Sequence, residues 1–317
     1  MSTNCQSSRY SNTNLISNIF GCVFFLISKY SGSGGVIYSW MSNNGLRVST
    51  CLFYNCTCSG YDGWGGGAII FNEVNCNTYL TKICAYRCYT TTQVSFQFAG
   101  SYVNVGDTQS ASLLSFSHCC PYSGTKGSNV IHYNQGATSV GSTNSSSHNL
   151  LSAISVSVTN PTGLSITYFT VSNNIAQDGV SMDFWAGYNT RTISYCNLIS
   201  NLFETGTHIY NTYDPNWEIG VYTFSNLCAC SNTGYLFYTQ ANCLTTVKNS
   251  YISHESSYMY TGSPITKQSV ITNNENCFRS YFSHYYTAFC HSGILFTGDY
   301  HVKLMKFDFL IIPLLFL

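Results

Sequence analysis

One unit recurs along the chain. An alternating apolar run built on a cysteine or asparagine leads into a polar stretch, and then glycines open a second apolar run. Cys22-Val-Phe-Phe-Leu-Ile27 is followed by Gly34-Gly35-Val36-Ile37-Tyr38, and Cys51-Leu-Phe53-Tyr-Asn55-Cys56 by Gly66-Gly67-Ala68-Ile69-Ile70-Phe71. Cys22 to Cys51 is 29 residues and Gly35 to Gly67 is 32. A period near thirty built from strand-sized units defines a solenoid, in which each coil stacks only on its neighbours and an extended face is left for contact.

Later copies can be laid beside Cys51: Cys196-Asn-Leu198, Ser225-Asn-Leu227-Cys-Ala-Cys230 and Asn249-Ser-Tyr251. Cys22, Cys51 and Cys196 then share one repeat position, and Cys56 and Cys230 share another. Second runs follow at Val130-Ile-His-Tyr133, Gly179-Val-Ser-Met182, Gly206-Thr-His-Ile-Tyr210 and Gly234-Tyr-Leu-Phe-Tyr238. Alternation of period two, rich in aromatic and β-branched residues, marks strands, and no window keeps a helical stripe. Glycines such as Gly34, Gly35, Gly66 and Gly67 are expected at sharp turns between sheets, where positive φ costs them little. The Ser/Thr/Gly-rich stretch 136–149 reads as a loop thrown out of a coil.

Composition agrees with a parallel stack. Charged residues are 8% of 317 and the formal net charge is zero. Parallel in-register strands place identical side chains about 4.8 Å apart, which favours Asn and aromatic ladders and penalises charge ladders. The neutral balance leaves no electrostatic footprint for nucleic acid. The expectation is an all-β, right-handed single-stranded parallel β-helix of roughly eight to ten coils over residues 15–300. Residues 1–14 would be a disordered or capping segment and 301–317 a hydrophobic tail, a truncated anchor or cap.

Gly66-Gly67-Ala68-Ile69, its variant Gly34-Gly35-Val36-Ile37, and the elements Leu198-x-x-Asn201 and Val171-x-x-Asn174 resemble the GGAI and FxxN motifs of the polymorphic outer-membrane protein repeats. Such repeats also occur in large Cys-, Ser- and Asn-rich surface proteins of parasitic protists. The resemblance implies a parallel β-helix of the pectin-lyase-like type and adhesion to host cells or surfaces.

Carbohydrate-active enzymes share that fold, so acids and bases matter. Asp178 and Asp183, the nearest carboxylate pair within a coil, are five apart and would face opposite sides of a strand. Stacking could bring Arg191 over either of them. The chain's 16 cysteines lack the repeated C-x2-C of a zinc ribbon and suit buried, stacked thiols better than a full disulfide framework. No metal ligand set and no cofactor is called for. The aromatics are read first as Phe in the core and Tyr on strand faces with its hydroxyl in water. A sugar-stacking surface is the alternative, for which Tyr258, Tyr260, Tyr285 and Tyr286 are first to test. Asn55 and Asn144 head glycosylation sequons.

Together these readings point to a non-catalytic, adhesin-like binding or display protein at the cell surface. Its partners would be host-cell or surface glycans or proteins, with membrane anchoring through the C-terminal segment. A degenerate polysaccharide lyase or glycoside hydrolase, and a structural coat protein, stay open as alternatives.

Overall fold

The computed structural model describes residues 17–29, 36–39, 45–58, 66–72, 77–90, 94–99, 108–119, 129–134, 136–150, 156–159, 163–176, 180–185, 191–210, 219–240, 243–253 and 259–272. Gly34, Gly35, Asp178, Tyr258, Tyr285, Tyr286 and both terminal segments lie outside these residues.

Every strand pair in the described residues is parallel, and each strand pairs with the equivalent strand of the next coil. The longest sheet passes through Ser17–Phe20, Leu46–Tyr54, Thr78–Tyr86, Thr108–Ser117, Ala137–Ser146, Gly163–Ser172, Arg191–Ser194, Gly220–Ser225 and Cys243–Ser253, with Ile265–Ile271 pairing on the last of these. A second sheet passes through Ile37–Ser39, Gly66–Asn72, Val94–Ala99, Asn129–Asn134, Val156–Thr159, Val180–Trp185 and Leu202–Tyr210, which continues to Thr233–Thr239 and Tyr260–Gly262. Short strands form a third face between them, including Ser28–Lys29, Thr57–Cys58 and Tyr89–Thr90. The chain is a parallel β-solenoid.

The long strands bend without breaking their ladder. At one register Thr50, Lys82, Leu113, Ser142, Tyr168, Tyr195, Asn226, Asn249 and Ser269 all take positive φ; at a second, five residues on, Asn55, Arg87, His118, Ser147, Asn173, Ser200 and Ser231 do so. Left-handed backbone turns the chain, and its N–H still reaches the next coil: Tyr195 N donates to Ser225 O at 2.9 Å, and Asn55 N to Tyr86 O at 2.8 Å. The conformation costs an L-residue about 1–2 kcal/mol, offset at corners such as Asn55 and Tyr195 because the backbone donor keeps its partner in the next coil.

Glycine holds the first corner at Gly21, where φ is +66°, but the other residues at these two registers are not glycine, and the glycine pair Gly66-Gly67 of the repeat is not at a corner. Gly66 and Gly67 lie in the strand Gly66–Asn72. Glycine is demanded at Gly262, where φ is +84° and a Cβ would collide with the Thr239 carbonyl oxygen.

The stretch expected to loop out is also a strand. Ala137–Ser146 pairs on one side with Thr108–Ser117 and on the other with Gly163–Ser172, without a register shift. Val140 and Thr143 occupy its inward positions. Small polar residues suffice there because the neighbouring coils supply bulk on either side, in Leu114 and Phe169 opposite Thr143.

The core runs along the axis. Phe24 stacks on Phe53 at 4.8 Å, and Phe224 packs between Phe237 at 5.2 Å and Phe184 at 6.4 Å. Cys51 and Cys196 are buried at the inward position just after the first corner, and Cys22 lies opposite Cys51. Cys56 does not share a register with Cys230. Cys230 stands opposite Ile199 and Ser253 on the strand, before the second corner, whereas Cys56 follows that corner. Laying Ser225 beside Cys51 produces this offset of two residues, because Leu227 is the residue that holds the Cys196 register.

Truncating Phe224 to Ala should cost about 3–5 kcal/mol, read as a lowered denaturant midpoint. Thr50→Asn places a residue tolerant of left-handed backbone at a β-branched corner, and a thermal melt should show an unchanged or higher midpoint.

Candidate functional site

Three groups of side chains carry chemistry, each generated by one register of the solenoid. The first follows the second corner. Ile27, Cys56, Cys88, Cys119, His148, Asn174, Asn201 and Asn232 succeed one another there, each directly after a positive-φ residue. Asn174 and Asn201 are the asparagines of the FxxN-like elements. Asn201 N donates to Asn232 Oδ1 at 3.0 Å and Asn201 Nδ2 to Val171 O at 3.0 Å, while Asn174 N donates to Asn201 Oδ1 at 3.1 Å. Each amide thus caps two coils, satisfying main-chain groups that the turn would otherwise strand.

The cysteines occupy the same slot in earlier coils. Cys56 donates to Phe24 O and Tyr54 O, both at 3.6 Å, and Cys88 to Tyr86 O at 3.5 Å. A thiol hydrogen bond from Cys88 holds Cys56 below its ordinary pKa against the opposing effect of burial, whereas burial drives Cys88 well above it. Elsewhere burial lifts Cys196 to about 12 and Cys243 to about 11. Cys56, Cys88 and Cys196 are free thiols, while Cys84 and Cys230 each belong to a separate disulfide.

His148 joins the two chemistries. Its backbone N–H donates to Asn174 Oδ1 at 2.9 Å, and its Nδ1 lies 3.0 Å from the Cys119 carbonyl oxygen. A carbonyl only accepts, so Nδ1 carries the proton and Nε2 accepts from the Ser145 hydroxyl at 3.0 Å. Burial lowers the His148 pKa to about 3.

The second group surrounds Arg191, which is 0% exposed. Its Nη1 donates to the Tyr222 hydroxyl at 3.1 Å and its guanidinium lies 5.2 Å from that ring. Burial raises Tyr222 to about 12, with Arg191 pulling down and Asp183 pushing up. Arg191 faces into the coil, alternating with exposed Thr192, and Asp183 is only 8% exposed. Neither is presented to a polysaccharide chain. Among the described residues no cluster of three or more His, Cys, Asp or Glu side chains could hold a metal ion.

The third group lies outside. Alternation places two files of short side chains, mostly hydroxyls, on the outer side of the long sheet, either side of the buried Ala111, Val140, Ile166, Ile193, Phe224 and Val247. Ser139, Ser165 and Thr192 are exposed, whereas Ser194 and Ser225 of the other file are only 8% exposed. One file runs Ser110, Ser139, Ser165, Thr192, Thr223, Thr246, Thr266. The other runs Thr81, Ser112, Gly141, Thr167, Ser194, Ser225, before Lys248. Beside them, at the first corner, Tyr168 and Tyr195 stack at 5.0 Å with 38% and 37% exposure. Arg47, with its guanidinium 5.0 Å from the Tyr79 ring, and Lys82 flank the files at one end.

Of the tyrosines singled out from sequence, Tyr260 is half-buried, with the Lys267 ammonium 6.0 Å from its ring. Stacking along the axis spends ring faces on neighbouring rings, as in Phe25, Tyr54 and Tyr86, so these aromatics offer edges in place of a sugar-stacking surface. Asn55 is half-buried at a positive-φ corner. Asn144 is 5% exposed, which leaves no room for a glycan on the folded chain and removes that sequon. The hydroxyl files escaped the sequence reading, although the recurring pattern Ser165-x-Thr167, Thr192-x-Ser194, Thr223-x-Ser225 carried the signal.

No family model, no curated protein and no solved structure matches the chain. No helix among the described residues is long and apolar enough to cross a membrane.

The histidine sets a pH dependence of known sign. An unfolded His titrates near 6.5 and the folded one near 3, so the unfolded chain binds the extra proton and stability is full above pH 6.5, falling as pH drops toward 3. His148→Asn, which extends the asparagine ladder by one coil, should flatten that part of the stability profile, measured as denaturant midpoint against pH.

Proposed function

We propose that the chain is a non-catalytic, cell-surface β-solenoid of the polymorphic outer-membrane-protein-like kind, binding or displaying through its long outer face. The observation that carries this reading is the outward hydroxyl file through Ser139, Ser165, Thr192 and Thr223, with its more covered neighbour file, a largely uncharged surface repeated coil after coil. Extended faces of this kind are what solenoids use for recognition. The GGAI-like element heads a strand of the second sheet and the FxxN-like asparagines cap the second corner, which are structural roles consistent with repeats retained for architecture.

The burial of Arg191 and Asp183 takes from the lyase or hydrolase alternative its best acid and base, since a general base must reach the substrate proton. Membrane or cell-wall attachment would come from the C-terminal apolar segment, leaving the outer face free.

Fluorescently labelled protein should attach saturably to cell surfaces. Ser139→Lys/Ser165→Lys, which plants two cations in the middle of the face, should reduce attachment at least severalfold while far-UV circular dichroism stays unchanged. Turnover of polyuronates that Asp183→Ala abolishes would overturn the non-catalytic reading, and equal attachment by wild type and variant would remove the outer face from it.

A further inference from the structure

The outer face is ordered enough to indicate what it contacts. Coils repeat about every 4.8 Å along the axis, and residues i and i+2 of a strand lie about 6.6 Å apart, so the two files form a regular grid of hydroxyl groups. Thr192 and Thr223 are adjacent open nodes of one file, while Ser194 and Ser225, adjacent in the other, are 8% exposed and make its floor. From Ser110 to Thr223 neither file carries a charge. We propose that this grid binds the ordered surface of an insoluble neutral polysaccharide, one sugar chain lying along the solenoid axis with the edges of Tyr168 and Tyr195 as a side wall. The inference rests on the surface-binding reading above and narrows it to a ligand class.

Chemistry and geometry favour this occupant. A hydroxyl both donates and accepts, so a file of them matches the hydroxyls of a sugar polymer in either chain direction. The coil repeat is comparable with the length of one pyranose residue in a β-linked chain, so successive sugars can meet successive coils. Among the described residues, an acidic polymer would find cations toward the ends of the files, at Arg47, Lys82, Lys248 and Lys267, and none along them from Ser110 to Thr223. The side chains are short and fixed on a sheet, and chains in a solid polysaccharide are already ordered, so little freedom is lost on contact and many weak bonds can add.

The tyrosine pair points the same way. Their 14° stack spends the facing ring surfaces on each other, so they are not a platform for stacking a free oligosaccharide. Binding must then come from hydrogen bonds in series, which a long ordered ligand supplies and a short soluble one does not.

The test is sedimentation with microcrystalline cellulose and microcrystalline chitin, with their soluble hexasaccharides as competitors and gelled polygalacturonate as an anionic control. The full chain should bind at least one neutral powder saturably and leave the polygalacturonate in excess. Raising salt from about 0.05 M to about 0.5 M, which shortens the screening length severalfold, should not release it. Thr192→Val/Thr223→Val keeps shape and strand preference while deleting two hydroxyls, and should weaken binding about tenfold. Leu202→Ser, on a different face, should bind as wild type. Absence of saturable binding to both powders, release by salt, or a double variant that binds like wild type would overturn the proposal. If cell attachment still depends on Ser139 and Ser165 in that event, the surface-binding reading stands without this ligand; if it does not, both fall.

Discussion

Everything in this solenoid hangs on one requirement: the hydrogen-bond ladder between coils must continue through the corners. A sheet that ended at each bend would strand main-chain donors at every turn of the coil, and each buried orphan costs about 1–3 kcal/mol. The chain keeps the ladder by tipping single residues into left-handed backbone, so that Asn55 N–H, for example, still meets Tyr86 O. Once corners are ladder positions, coils cannot slip relative to one another without breaking bonds on two faces. Register then lines up like residues in files, and the files are the molecule's functional vocabulary.

The near absence of charge follows from the same requirement. A file repeats every coil, and like charges at that spacing repel, whereas Ser, Thr, Asn and Tyr tolerate copies of themselves. Arg191 shows what an exception needs: a tyrosine in the next coil that accepts its hydrogen bond and offers a ring face. That arrangement resolves a structural problem, and it also removes the cation from any ligand.

How far the sequence could be read depended on which property each feature used. Period-two alternation and the Cys22, Cys51 and Cys196 register were visible because inward positions are large or sulfur-bearing against a polar background. Residues 136–149 read as a loop because Thr, Ser, Gly and Asn have a loop's composition, and only the neighbours of Ala137–Ser146 on either side make it a sheet strand. Corners misled for a related reason. Glycine is the residue that reaches left-handed backbone at least cost, yet Thr, Lys, Leu and Tyr are held there by the ladder. The Cys56 slot was assigned to Cys230 because the matching residue, Asn232, is chemically different and matches only in position. The hydroxyl files went unnoticed for the opposite reason: Ser and Thr are common enough that their spacing, and not their presence, carries the information.

The second-corner file also divides the molecule. On one side of His148 the slot is filled by thiols that bond to backbone and, from Cys88 to Cys56, to one another, and on the other by amides that clasp one coil to the next. His148 is the adapter, accepting from Ser145 at one nitrogen and donating to Cys119 at the other. A solenoid ordinarily frays from its ends, since terminal coils have one neighbour. Protonating a buried adapter reverses that order: the seam would open in the middle, between a sulfur-filled block and an amide-clasped block. The protein then has an internal breakpoint whose position is written by a single side chain.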